Sequence, residues 1–165
     1  MTATTKISVT TQVYRVYIKA TPEAIWDAIT KPERVQNYGY AGRVDYDLRP
    51  GGAYRALASQ EFWEIGAPEV IVEGKVLQAD PPSKLVQTWN PVRDQEIAAE
   101  ALTLLTWEID QGEGGVTKLT VTHELVGAPK VAAQIAGAGD GAGGGWSYIL
   151  SDLKTLLETG APLYG

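Results

Sequence analysis

The sequence predicts an α+β domain: a curved antiparallel sheet of about seven strands closed by one long C-terminal helix, with two short helices after the first strand. Three observations carry this. Between residues 145 and 160, Trp146, Ile149, Leu150, Leu153, Leu156 and Leu157 recur every three or four positions, the spacing of one continuous helical stripe. Ser147, Ser151, Asp152, Lys154 and Glu158 fill the rest of that surface, Gly160 stops the helix and Pro162 prevents its resumption. Nearly everything before it alternates apolar and polar residues with the period of a strand. A lone helix can bury its stripe against such a sheet only if the sheet bends around it, and a bent sheet can leave a cavity beneath the helix. Each large apolar side chain in the stripe gains about 1.5–3 kcal/mol on burial, so the helix belongs to the core.

The elements follow in order. Residues 1–11 are polar and Thr-rich and are expected to be frayed. Over 12–20, Tyr14, Val16 and Ile18 face one way and Arg15, Tyr17 and Lys19 the other. Thr21-Pro22-Glu23 opens a helix, with Thr as N-cap, Pro at the first position and Glu in the first turn. It runs to about residue 30 and buries Ile25, Trp26 and Ile29; Pro32 ends it and opens a second short helix reaching about Tyr38. Val44, Tyr46 and Leu48 alternate with charged residues, Pro50-Gly51-Gly52 makes a turn, and 54–59 returns as the hairpin partner. Phe62-Trp63 is expected to extend the sheet. Strands over 70–79 and 84–90 flank the turn Asp80-Pro81-Pro82-Ser83, and strands over 102–110 and 116–124 form a last hairpin. A short helix over 130–136 and a Gly-rich loop complete the chain. There is no internal repeat and no linker, so 1–165 reads as one domain.

Composition removes several functional classes. Hydrophobic residues make up 44% and charged residues 21%, ordinary for a soluble globular protein. No apolar run approaches the ~18 residues that a membrane span needs, and the N-terminus lacks the pattern of a signal peptide, so a cytoplasmic protein is expected. With no Cys, disulfides and thiolate chemistry are excluded. The net charge is −6 and the 14 basic residues form no cluster, which argues against nucleic acid as a partner.

Candidate chemistry is sparse. The run Gly139-Asp140-Gly141-Ala142-Gly143-Gly144 matches G-x-G-x-x-G, but no strand stands directly before it and no βαβ unit follows. A connector, or a loop gating a cavity, suits it better than a dinucleotide site. His123 is the single His and shares inward parity with Leu119 and Val121, so a hydrogen-bonded core residue is the first reading. Without a second His or Cys at ligand spacing, neither a metal nor another cofactor is expected. Asp45 and Asp47 share parity with Arg43 and Arg49 and read as a solvated sheet face, and no Gly-x-Ser-x-Gly elbow occurs. The aromatics are more informative. Tyr54, Gln87, Trp89, Trp107 and His123 point inward by strand parity, Trp146 faces them from the helix, and Tyr38 and Tyr40 stand where a cavity mouth would lie. A dry core would exclude Gln87 and His123, so together these residues suggest a lined cavity.

The order of elements, together with the segments 18–30, 47–54, 73–77, 80–82, 85–89, 105–108, 119–124 and 145–157, resembles the helix-grip domains of the START-like superfamily of polyketide cyclases and lipid-transport proteins. Within it, the chain is similar to the family named for the activator of the heat-shock-protein-90 ATPase, in its small bacterial form. The resemblance spans about residues 12–160. It implies a seven-stranded curved sheet, a long C-terminal helix and an apolar cavity, in a family whose members bind or transform hydrophobic small molecules. Where many relatives carry paired Trp after the second helix, this chain has Tyr38-Gly39-Tyr40. The leading expectation is a binder of a small hydrophobic or aromatic molecule, lined by Tyr38, Tyr40, Tyr54, Gln87, Trp89, Trp107, His123 and Trp146, with a homodimer left open. The alternatives are a cyclase or dehydratase using His123 to move protons, and a co-chaperone-like regulator of a heat-shock ATPase.

Overall fold

A computed structural model describes residues 11–40, 42–66, 69–92, 95–137 and 144–163, without the Phe62 side chain. Strand β1 (Thr11–Ile18) starts at the end of the segment expected to be frayed; residues 1–10 lie outside the described residues. Helices α1 (Pro22–Thr30) and α2 (Pro32–Val35) follow, then β2 (Arg43–Tyr46), β3 (Ala53–Leu57) and α3 (Gln60–Glu64). Next come β4 (Val70–Asp80), β5 (Lys84–Pro91), α4 (Gln95–Ala98), β6 (Thr103–Gln111), β7 (Thr117–Glu124), α5 (Pro129–Ile135) and α6 (Gly145–Thr159).

One antiparallel sheet of seven strands has the order β1-β7-β6-β5-β4-β3-β2. The chain meanders from β2 to β7, and β1 pairs with β7, from Thr11 opposite Glu124 to Ile18 opposite Thr117. The crossover from one sheet edge to the other is made by α1 and α2. This places α1 against β6, β2 and α6, while α6 itself lies along β1. Register slips between Ala56 and Leu57 and between Val76 and Gln78 insert extra residues into the β3–β4 and β4–β5 ladders. Such bulges bend a strand and sharpen its twist, which suits a sheet that wraps a helix.

The helix boundaries follow their local chemistry. Thr21 Oγ1 accepts the Ala24 N–H at 3.2 Å and Pro22 sits at the first position, as the sequence predicts for α1. At the far end of α6, Gly160 has φ 84° and its N–H reaches Leu156 O at 2.8 Å, a left-handed cap that glycine adopts without strain. Gly145, with φ 74°, is required for a second reason: a Cβ there would lie 2.4 Å from Ile135 O. From the stripe of α6, Trp146, Leu150 and Leu153 are buried in the main core beside Ile18, Ile25, Leu85, Leu105 and Val121. Ile149, Leu156 and Leu157 pack at its margin.

Three local expectations need correction, and one helix is not anticipated. Phe62-Trp63 does not extend the sheet: after the register slip the pairing with β4 runs only through Leu57 opposite Val70 and the Ala58 N–H to Glu69 O, then Trp63 N–H turns back to Ser59 O at 2.9 Å in α3, and Trp63 is 60% exposed. Helix α2 stops at Val35, because Asn37 and Tyr38 bond three residues back, to Arg34 O and Val35 O, and so form a turn. Helix α4 has no counterpart among the elements that the sequence predicts. Asp152, expected on the polar surface of α6, is 2% exposed. Its Oδ2 accepts the Gly39 N–H and its Oδ1 the Leu163 N–H, each at 2.8 Å, so it fastens both the segment after α2 and the C-terminal segment to α6.

Leu153→Ala is expected to lower stability by about 2–5 kcal/mol, and Leu153→Asp to leave no folded domain, as read by circular dichroism and denaturant titration. Asp152→Ala orphans two backbone donors and is expected to cost about 1–3 kcal/mol in the same titration; an unchanged midpoint would show that both donors find water.

Candidate functional site: an aromatic layer between sheet and helix

The register of the central strands builds this layer. Leu85 stands opposite Trp107, Gln87 opposite Leu105 and Trp89 opposite Thr103; Leu105 faces His123 and Trp107 faces Val121. The two-residue period then puts Gln87, Trp89, Thr103, Trp107 and His123 on one face, with Trp146 descending from the first turn of α6. The Trp107 and Trp146 rings meet edge to face with centroids 5.3 Å apart, and Trp89 meets His123 in the same way at 5.1 Å. Trp146 also lies 6.2 Å from Trp89 and 6.1 Å from His123.

His123 sits inside a directional hydrogen-bond chain. The Trp146 indole Nε1–H can only donate, and it reaches His123 Nδ1 at 3.1 Å. Nδ1 is therefore the unprotonated nitrogen, and Nε2–H points to Thr103 Oγ1 at 2.7 Å. Thr103 in turn donates to Trp89 O at 2.6 Å. Every member is satisfied with a neutral imidazole, whereas a proton on Nδ1 would confront the indole N–H. Burial alone pushes the His123 pKa down to about 4. Both ring nitrogens are thus held by protein groups.

Beside this chain lies a cluster of phenols. Tyr46 and Tyr54 are cross-strand partners with ring centroids 4.6 Å apart, and the Tyr46 hydroxyl donates to Gln87 Oε1 at 2.6 Å. Tyr38 is buried and donates to Ala28 O at 2.8 Å. Burial raises the pKa of all three phenols above the usual value, so they stay protonated. Among the described residues, two buried donors remain without a partner: Gln87 Nε2 and Trp107 Nε1. At Tyr54 burial dominates, opposed by hydrogen-bonding contributions from Trp89, Tyr46 and Gln87, yet Gln87 Nε2 reaches no acceptor at hydrogen-bonding geometry.

Of the eight residues singled out in the sequence, Trp89, Trp107, His123 and Trp146 form the aromatic layer, and Gln87 and Tyr54 adjoin it. Tyr38 is buried beneath α1, and Tyr40 stands apart. It is 47% exposed, accepts the Gly145 N–H at 3.1 Å and packs on Tyr148, holding the start of α6. Tyr46 and Thr103 join the site without being singled out by the sequence. Their inward parity is visible there, but Tyr46 stands among charged residues and Thr103 at a strand end. Pockets among the described residues include one of about 830 Å³ away from this layer, between α1, α2 and the end of α6, lined by Ala24, Asp27, Arg34, Leu156 and Pro162 among others, and one of about 190 Å³ beside Asp45, Tyr46 and Arg55. Asp45 and Asp47 are exposed and face Arg55 and Arg49, as expected of a solvated face. Most of the Gly-rich run falls in 138–143, outside the described residues, and no described helix is long and apolar enough to cross a membrane.

The family described as "Activator of Hsp90 ATPase homolog 1-like protein" matches residues 19–158. The chain belongs to this family. Solved structures share its fold at low sequence identity. Protein CV1439 from Chromobacterium violaceum aligns over 92% of this chain and 99% of its own at 21% identity and a TM-score of 0.68. CalU16 from Micromonospora echinospora aligns over 91% and 77% at 21% identity and a TM-score of 0.60. The Aha1 dimer from Colwellia psychrerythraea aligns over 91% and 97% at 17% identity and a TM-score of 0.65. No curated protein matches this chain. Sequence and architecture thus agree on a helix-grip member of the activator-homologue family.

Because the folded pKa of His123 is depressed from 6.5 to about 4, the unfolded chain takes up its proton first as pH falls. Stability from this group is complete above pH about 6.5 and declines toward pH about 4, by about 3 kcal/mol in all. Denaturant midpoints measured across that window should fall less steeply for His123→Phe than for the natural protein; parallel slopes would remove His123 as the titrating group.

Proposed function

We propose that the protein binds a small hydrophobic or aromatic molecule between the sheet and α6, in the cytoplasm and without chemistry at His123. The supporting observation is the pair of buried donors, Gln87 Nε2 and Trp107 Nε1, left unpartnered inside a layer of aromatic rings. A core that served packing alone would gain stability by replacing them with apolar groups, since each unpaired buried donor costs about 1–3 kcal/mol. Around them Gln87, Trp107 and Trp146 are buried, so a ligand has to displace side-chain contacts. Tyr46 and Trp89 are half-buried and pack against both apolar clusters of the core, which makes them the natural side of access. Engagement of both His123 nitrogens favours binding over proton transfer. The Colwellia relative is described as a dimer, and a homodimer of this chain is the accompanying proposal.

Native mass spectrometry of protein purified from its own cell extract is expected to show a small molecule released on denaturation, and the extract's organic fraction to raise the melting temperature saturably. Protein of bare chain mass, with no stabilisation by any fraction, would overturn the reading.

A further inference from the structure

The polarity of the aromatic layer is one-sided. Trp107 carries a nitrogen that can only donate, so its need for an acceptor does not depend on how a side-chain amide is oriented. Gln87 lies diagonally across the β5–β6 ladder from it: Gln87 pairs with Leu105 and Trp107 with Leu85, two residues further along. Diagonal neighbours on one face stand about 7–8 Å apart at Cα, within reach of a single group placed between two long side chains. Both unpartnered atoms are N–H groups, so what they lack is an acceptor.

The surroundings also fix the charge. Among the described residues, the buried polar side chains include no Lys or Arg. The buried carboxylate, Asp152, already accepts two backbone N–H groups. An anion brought between sheet and α6 would meet N–H donors but no cation, and a cation would meet ring faces but no free carboxylate; with no counter-charge, the hydration either one loses is repaid only in part. The protein's own groups respond in the same sense, with burial keeping the phenols protonated and the imidazole neutral. The rings of Trp89, Trp107 and Trp146 offer faces and edges to a planar molecule.

We propose that this layer selects an uncharged aromatic ligand bearing a carbonyl-type oxygen, which receives the N–H groups of Trp107 and Gln87; this rests on the binding reading above and names its ligand class. Trp107 and Gln87 are then the specificity-determining pair, rejecting the matched hydrocarbon through unpaired donors and the matched carboxylate through uncompensated charge.

Three probes of similar shape separate the possibilities: 2-acetylnaphthalene, 2-isopropylnaphthalene and 2-naphthoate, titrated into the natural protein by calorimetry. The ketone is expected to bind at least about tenfold more tightly than either of the others. Its carbonyl stretch should move to lower wavenumber on binding, relative to the same ketone in cyclohexane. In Trp107→Phe and Gln87→Leu, the ratio of ketone to hydrocarbon affinity should fall toward one. Should a variant fail to fold, the probe ranking and the infrared band of the natural protein still decide. Binding of none of the three overturns the binding reading itself. Equal binding of ketone and hydrocarbon, preference for the carboxylate, or an unshifted carbonyl band overturns the selection while leaving binding intact.

Discussion

The rest of the structure depends on the contact between Trp146 and the concave face of the sheet. One side chain in the first turn of α6 meets Trp107 edge to face and donates its indole N–H to His123. The contact joins three elements at once: α6, β6 and β7. It fixes the depth and rotation at which α6 lies, and through His123 and Thr103 it extends into the backbone of β5. Sliding the helix by one residue would carry the indole away from the imidazole and leave two buried polar groups without partners. An apolar contact alone would tolerate such a slip far better, because dispersion is not directional. The buried polar chain therefore specifies the register of a packing that the hydrophobic stripe only drives.

The same logic governs both ends of α6. At its start, Gly145 lies so close to the end of α5 that a side chain is excluded, and its N–H is taken by the Tyr40 hydroxyl. Further along, Asp152 draws in two backbone segments that have no secondary structure of their own. The helix is positioned by a few directed contacts at intervals along its length, with apolar burial between them. These contacts involve the end of α5, the segment after α2, the C-terminal segment and the aromatic layer, so the geometry of the interior and the seating of α6 are coupled.

Much of this is legible in the sequence, and the departures have a common cause. The N-cap at Thr21, the left-handed cap at Gly160 and the alternation of β6 and β7 are set by interactions within a few residues, and each stands where the local pattern puts it. Strand parity likewise places Gln87, Trp107 and His123 inside. Asp152 escapes a local reading because a carboxylate on a helix is ordinarily solvated, and the two donors that bury it belong to Gly39 and Leu163, distant or irregular parts of the chain. Trp63 escapes it because where β3 stops is set by its pairing with β4, which ends shortly after a register slip. Tyr40 resembles a cavity residue through its closeness to Tyr38, but a turn intervenes, and its hydroxyl is drawn to the start of α6. Local chemistry is readable; the pairing of distant backbone groups is not.

The pairing of β1 with β7 has a consequence for how the chain is made. The first strand finds its ladder partner in the last one, and Gln12 also bonds to Ala132, 120 residues away. While the polypeptide is being synthesised, β1 must wait with an unpaired edge until β7 has left the ribosome. The β2–β7 meander can form meanwhile from neighbouring hairpins, whereas completion of the sheet and docking of α6 are delayed to the end. Production of this protein is thus exposed to early mispairing of β1, a hazard that moving β1 behind α6 by circular permutation would lessen, since only α5 and α6 would then separate it from β7.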